Sequence, residues 1–315
     1  MPEIERVNLG QVCLQLMYQG IERPHTFPFI SMPKQSVLKR AMQELVMLRA
    51  VQKSASTGMP ELTKHGRGMA DLPLSPLFAN LLLKGVQYEC VSEMLSAIAL
   101  LSTDTVFVQP AGEEAKRKRD VVTRQFFHNK GDFTTLVSVY DAWVEAGEDP
   151  AWCRLHYLNS KSMQRAKHVR EQLCGILTSR KIDPTVSCLP HTEQMLMCLA
   201  DGLQAQVARR ISPLDPGGQM LKMTGEGGAC AFKVERTNEI VYVHPSSLMH
   251  NYLIADFQLQ RARQGKKGGG RGVDGDGDAK KIEWCVFTDM LMTKKKYIKN
   301  VAIIKDAWRI KPGQK

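Results

Sequence analysis

The chain has 315 residues, 43% apolar and 24% charged, which suits two or three compact domains with ordinary cores and excludes a low-complexity chain. Its formal net charge is +11, from 43 Lys+Arg against 32 Asp+Glu. That excess points to a polyanionic partner, nucleic acid foremost, with a basic but merely solvated surface as the bland alternative. The longest apolar runs, such as LFANLLLKG, are about half of what a bilayer span needs, so no membrane is expected as a partner. The opening PEIERVNLG has no apolar signal core, which places the protein in cytosol, nucleus or mitochondrial matrix.

In chain order, NLGQVCLQLMYQG sets Leu9, Val12, Cys13 and Leu16 at helical spacing, with Gly20 placed to end the helix. A second helix is predicted in SMPKQSVLKRAMQELVMLRAV, where Val37, Leu38, Ala41, Met42, Leu45 and Leu48 share a face. Ser31 is its candidate cap, with Pro33 in the first turn. Turn-rich QKSASTGMP and ELTKHGRGMADLPLSP follow, reading as a hairpin. Two helices and a hairpin over residues 1–75 resemble a winged helix; a generic small helical domain has the same periodicity.

Residues 76–198 read as almost wholly helical, a small bundle. Ser75-Pro76 starts PLFANLLLKG and Gly85 is placed to stop it, while Ser92 is a candidate cap for EMLSAIALLS. GDFTTLVSVYDAWVEAG puts Leu136, Val139, Tyr140 and Trp143 on one face. SKSMQRAKHVREQLCGIL does the same with Met163, Ala166, Val169, Leu173 and Ile176.

From 199 to 315 the runs AFKVE, EIVYVHP, EWCVFTDMLM and KYIKNVAIIK are β-branched and aromatic, separated by turn signals. With one helix-like segment near 193–209, they suggest a small β-barrel of OB type. GKKGGGRGVDGDGD, 265–278, is half glycine and is expected to be a flexible insertion between strands. The fold class is thus multidomain α+β: winged helix, helical bundle, then OB-type barrel.

Several chemical motifs fail on spacing. No two of the eight cysteines lie closer than ten residues, so no C-x-x-C site exists and no metal is expected. DGDGD fails as a calcium loop, since counting from Asp274 puts Ala279 where glycine and Cys285 where glutamate are needed. No G-x-x-x-x-G-K-[ST], acidic Walker B run or G-x-S-x-G is present, so no catalytic residue is named. His244, in YVHPSS, is too close in sequence to Ser246 and Ser247 for a designed nucleophile and base.

Seven stretches, in order, resemble the C-terminal region of DEAH-box ATP-dependent RNA helicases. They are PEIERVNLGQVCLQL, LKRAMQELVML, LTKHGRGMADLPLSPLFANLLL, GDFTTLVSVYDAW, WCRLHYLNSKSMQRAKHVREQL, YVHPSS and EWCVFTDMLMTKKKYIKNV. The fifth is most similar to the spliceosome-associated members. The resemblance covers nearly the whole chain and implies a winged helix, a ratchet-like helical domain and an OB-fold, here with the glycine-rich stretch inserted in the last. It also implies two preceding RecA-like domains, which carry ATP and magnesium and are absent here, so no cofactor is expected in this chain. Family members continue past DAWRIKPGQK and carry leucine at the position of Arg309. The chain is expected to be either a piece of such a helicase or a stand-alone module.

The resemblance implies one wall of a single-stranded RNA channel, acting in pre-mRNA splicing in the nucleus, with a cytoplasmic location also allowed. Lys161, Arg165, His168 and Gln172 fall opposite the apolar stripe of their helix, a row suited to phosphates, and Asn159 adds an amide. A solvated charged face is the other reading of that row. Lys161 and Arg170 match positions where the family carries arginine, and Lys295 and Lys299 align with family basic positions. His244, Ser246 and Ser247 are either phosphate or sugar contacts or groups that satisfy a turn. Expected partners are single-stranded RNA, a G-patch-type activator or spliceosomal proteins, and the RecA-like core. The rival reading is an adaptor that binds such proteins and has little RNA affinity.

Overall fold

A computed structural model describes residues 9–211, 229–265 and 282–309. The sequence first folds into two amphipathic helices, α1 (Gly10–Tyr18) and α2 (Gln35–Met47). α1 buries Cys13, Leu14, Leu16 and Met17, and α2 buries Leu38, Ala41 and Leu45. The predicted Ser31 cap is not used: the chain stays extended through Lys34, at ψ 133°, and α2 starts one residue later. Pro33 therefore lies outside the helix, just before its N-cap Lys34. A short antiparallel hairpin follows, β1 (Val51–Lys53) and β2 (Pro60–Leu62), with Val51 opposite Leu62. Thr63 then caps α3 (Lys64–Ala70), accepting from the Gly66 amide at 2.9 Å. Gly66 has to be glycine, since a Cβ there would sit 2.0 Å from the Ala50 carbonyl oxygen.

The helical part comprises α4 (Pro76–Gln87), α5 (Val91–Leu101), α6 (Glu113–Thr123), α7 (Asp132–Glu145), α8 (Pro150–Leu155), α9 (Ser160–Ser179) and α10 (Glu193–Gly202). Ser75 and Pro76 start α4 as predicted. Gly85 does not stop it; α4 runs on to Gln87, and the missing Cβ makes room for Met94, whose Cγ would lie 3.0 Å away. Nor does Ser92 cap α5, which has already begun at Val91. α5 is buried on nearly every side, from Val91 to Leu100, as expected of the central helix of a bundle. Around it pack α4, α7 and α9. The predicted stripes hold: Val139 and Trp143 on α7 and Met163, Ala166 and Leu173 on α9 are at most 1% exposed. α10 folds back on α4, tied by Lys84–Asp201 at 2.6 Å and by Asn80 donating to the Gly202 carbonyl at 3.0 Å.

The last part is a seven-stranded sheet curled into a half-barrel. Its strands are β3 (Val207–Arg210), β4 (Ala231–Val234), β5 (Ile240–Val243), β6 (Trp284–Val286), β7 (Asp289–Met292), β8 (Lys296–Lys299) and β9 (Ala302–Ile304). Their order is β7-β8-β5-β4-β3-β6-β9, antiparallel except for the β5–β8 pair. The segment read as helix-like over 193–209 splits into α10 and β3. A helix the sequence pattern missed, α11 (Leu248–Gly265), buries Met249 and Leu253 against Phe232, Val241, Val243 and Ile298. Beyond Gly265, the glycine-rich stretch to 278 lies outside the described residues.

Bundle and sheet meet where α10 packs on β9 and, next to it, at a hydrogen-bonded seam between the start of α7 and β9. Gly131 sits at φ +140°, and a Cβ there would lie 2.4 Å from the Val301 carbonyl oxygen. The Asp132 amide donates to Val301 O at 2.7 Å and the Ile303 amide to Lys130 O at 2.8 Å, so the chain before α7 pairs with β9 like a short extra strand. The Asp132 carboxylate accepts from the Val301 amide at 2.9 Å and from the Ser247 hydroxyl at 2.8 Å. Burial pushes the Asp132 carboxyl up to about 6, against the pull of the hydrogen bonds from Val301 and Ser247.

The sign of the pH effect follows. With the folded pKa above the ordinary 3.8, the folded chain takes up this proton first. The resulting stabilisation is complete below about pH 4 and is lost as pH rises through about 6. Relative to Asp132→Asn, the wild type should gain about 2 kcal/mol between pH 7 and about pH 4.5 in denaturant titrations. Parallel pH profiles for the two proteins would contradict an enclosed, uncompensated carboxylate.

Candidate nucleic-acid interface

The site is built on α9 and the loop that follows α5. Asn159 caps α9, its side-chain oxygen accepting from the Lys161 amide at 3.1 Å and the Ser162 amide at 3.4 Å. Its own amide donates to Val106 O at 2.9 Å, and the Ser162 hydroxyl to Thr105 O at 3.2 Å. The polar loop 102–109 is thereby pinned beside the helix start. Asn159 thus holds α9 in place, with its side-chain acceptor already engaged.

Opposite the buried stripe, Lys161, Arg165, His168 and Gln172 are all exposed, as their spacing predicts. Arg165 reaches across to Asp104 at 2.6 Å, with both side chains more than 60% exposed. Such an exposed pair contributes little and exchanges readily for another anion. Arg170 points the other way. Its Nε and Nη2 lie 3.2 Å and 3.0 Å from the hydroxyls of Ser96 and Ser92, and its guanidinium lies 5.6 Å from the Tyr140 ring. It braces α9 on α5 and is not part of the outward row.

The HPSS turn divides in two. Ser247 is buried and donates to Asp132 at the seam, whereas Ser246 is exposed. His244 Nδ1 accepts from the Ser246 amide at 3.1 Å and lies 2.7 Å from its hydroxyl, which assigns the ring proton to Nε2. Burial, then the charges of Lys299 and His250, hold the His244 pKa below the ordinary imidazole value. The ring is therefore neutral at pH 7 and offers one N–H.

A cleft of about 320 Å³ lies along Arg165, His168 and Gln172, floored by Ser102, Thr103 and Asp104. A second, of about 460 Å³, is lined by Asp132, Ser246, Lys299 and Asn300, and again by Thr103 and Asp104. The two clefts adjoin at those shared residues, one on the α9 side of the 102–109 loop and one on the sheet side, and the pair is termed the trough. Arg165, His168, Ser246, Ser247 and Lys299 all line it. Lys161 stands exposed one turn from Arg165 on α9; Lys295 lies over the Tyr242 ring, its Nζ 4.8 Å from the centroid. Among the described residues, neither Lys161 nor Lys299 has an ion-pair partner.

The floor of the trough was not read from the sequence. Asp104 comes from the loop after α5, Asp289 from the start of β7 and Asn300 from the bend after β8; Asn300 adopts φ +53° while its amide reaches Thr288 and Asp289. The available signal was the polar STDT directly after an apolar helix and the asparagine ending the KYIK strand.

Comparisons with known proteins give the chain's relatives. Residues 75–136 match the helicase associated domain (HA2), ratchet-like. Over 307 residues, 98% of this chain, the sequence is 28% identical to the human probable ATP-dependent RNA helicase DHX35, of which it covers 37%. It is 29% identical over 309 residues to the pre-mRNA-splicing factor ATP-dependent RNA helicase prp22 of Schizosaccharomyces pombe, of which it covers 22%. The chain thus spans little more than a third of the length of these relatives, or less. In residues 75–136 and along nearly its whole length, the chain is thus similar to the C-terminal region of DEAH-box RNA helicases.

Proposed function

We propose that the chain is the accessory C-terminal region of a DEAH-box ATP-dependent RNA helicase, forming one wall of a single-stranded RNA channel in pre-mRNA splicing. On this reading residues 1–75 are a winged helix, 76–198 the ratchet-like domain and 199–315 an OB-fold. ATP and magnesium belong to the motor, and the setting is the nucleus. The helix pair and hairpin at the N-terminus support the first assignment, and the half-barrel supports the last. The name of the fission-yeast relative supports the splicing role. What carries the proposal is the trough, which gathers the outward face of α9 and the HPSS turn on one surface.

In the trough and at its edge, Lys161, Arg165 and Lys299 neutralise phosphates, while His168, Ser246 and the His244 N–H donate to phosphate or sugar oxygens. Such contacts position a strand without reading its bases. The acids that line the trough, Asp104, Asp132 and Asp289, keep the binding weak by opposing the cations. Asn159 and Arg170 act beneath this surface by fixing α9.

An adaptor role is the second reading. It rests on exposed apolar residues near the N-terminus, Ile30, Met32 and Val46, which suit a protein partner such as a G-patch-type activator or a spliceosomal protein.

Binding to a labelled single-stranded oligonucleotide at several salt concentrations separates the two. The channel wall should bind with Kd on the order of micromolar and a slope of about −0.7 per phosphate neutralised. Lys161→Ala with Arg165→Ala should flatten that slope by about one to two units at unchanged stability. Asp104→Asn should tighten binding by releasing Arg165. Asn159→Ala should cost about 1 kcal/mol of stability and leave the slope intact. Absence of binding even at low salt would pass the case to the adaptor.

A further inference from the structure

Beside the trough, the outer face of the sheet carries an aromatic pair, Tyr242 and Tyr297, that the channel reading does not use. On β5 the side chains alternate: Val241 and Val243 are fully buried, while Tyr242 and His244 face outward and are half-buried. On β8 Ile298 is fully buried, and Tyr297 and Lys299 face outward. β5 and β8 are the one parallel pair of the sheet, and their register sets Tyr242 directly beside Tyr297. The two rings are 6.3 Å apart, and the His244 ring meets Tyr297 edge-on at 5.4 Å. Lys295 stands over Tyr242, and Lys299 follows Tyr297 into the trough beside Ser246.

An aromatic pair on a sheet contributes to stability, and packing alone accounts for two neighbouring tyrosines. It does not account for the setting. The rings occupy the solvent face, a lysine ammonium rather than an apolar neighbour covers one of them, and the row is continuous with the groove through Lys299. Flat aromatic faces interleaved with flexible cations suit a single strand, whose bases each present a π-face and whose phosphates lie to the side.

We propose that Tyr242 and Tyr297, with His244 at the edge, form a stacking platform for one or two unpaired nucleobases of single-stranded RNA, flanked by Lys295 and Lys299 on the phosphates. This rests on the RNA reading above and extends it. The strand that enters along α9 by its backbone leaves over the sheet with its bases engaged. On binding, the Lys295 ammonium exchanges the Tyr242 ring for a phosphate, and the base takes its place.

The test compares oligoadenylate with an abasic ribose-phosphate oligomer of equal length. The wild-type chain should bind oligoadenylate about ten times more tightly or better, a preference of the size expected for one or two stacked bases. Tyr242→Ala with Tyr297→Ala should abolish that preference without changing the salt slope. The paired Tyr→Phe variant should keep it, because phenylalanine retains the ring. Equal wild-type affinity for the two oligomers would overturn the platform and leave the channel wall standing. Loss of the preference in the phenylalanine variant would equally overturn stacking. Failure of the wild type to bind either oligomer at low salt would overturn the channel reading, and the platform with it. If the alanine pair fails to fold, the two-oligomer comparison on the wild-type chain still decides.

Discussion

The carboxylate of Asp132 ties the bundle to the sheet at the seam beside the trough. It opens α7, accepts from the Val301 amide next to β9, and accepts from Ser247 in the turn that precedes α11. Three segments far apart in sequence are thereby referred to one side chain. Gly131 makes the approach possible, because any side chain there would strike the Val301 backbone. Both walls of the trough hang from this seam: the loop after α5 and α9 on the bundle side, the HPSS turn and Lys299 on the sheet side. A bundle free to shift against the sheet would keep every basic residue and lose the groove.

That arrangement also accounts for the chemistry of the trough. Ionised Asp132 is disfavoured by burial and, among the described residues, is held by hydrogen-bond donors with no ion-pair partner. Farther along, Asp104 holds Arg165 in an exposed pair. Cations and acids line the trough side by side, a pattern that attracts a polyanion without trapping it. A strand that has to advance needs contacts of this kind, individually weak and readily exchanged. Neutral donors such as Ser246 and the His244 N–H add geometry without adding charge.

Much of this was legible in the sequence wherever the signal was local. The α7 and α9 stripes, the Ser75-Pro76 start and the outward Lys161–Arg165–His168 row follow from spacing alone. What the sequence hid depends on long-range partners. Arg170 belongs by composition with the other cations of α9, yet its angular position turns it onto Ser92 and Ser96. Gly85 reads as a helix stop and instead makes room for Met94. α11 has a weak apolar stripe and follows a turn among strands, so nothing local announced a helix of 18 residues. Ser247 and Ser246 are adjacent and chemically alike, and only the fold sends one to the seam and the other to the groove. The pairing of Tyr242 with Tyr297 spans 55 positions and one parallel strand contact, which no window of sequence contains.

The central claim is that one strand of RNA touches both walls at once. Photo-crosslinking tests it most directly, using a single-stranded RNA with 4-thiouridine throughout and peptide mapping by mass spectrometry. The account predicts crosslinks within one complex to the N-terminal half of α9 and to the Tyr242–Ser246 or Tyr297–Asn300 segment. Crosslinks confined to one wall, or gathered on α6 around the exposed Arg117 and Lys118, would contradict it.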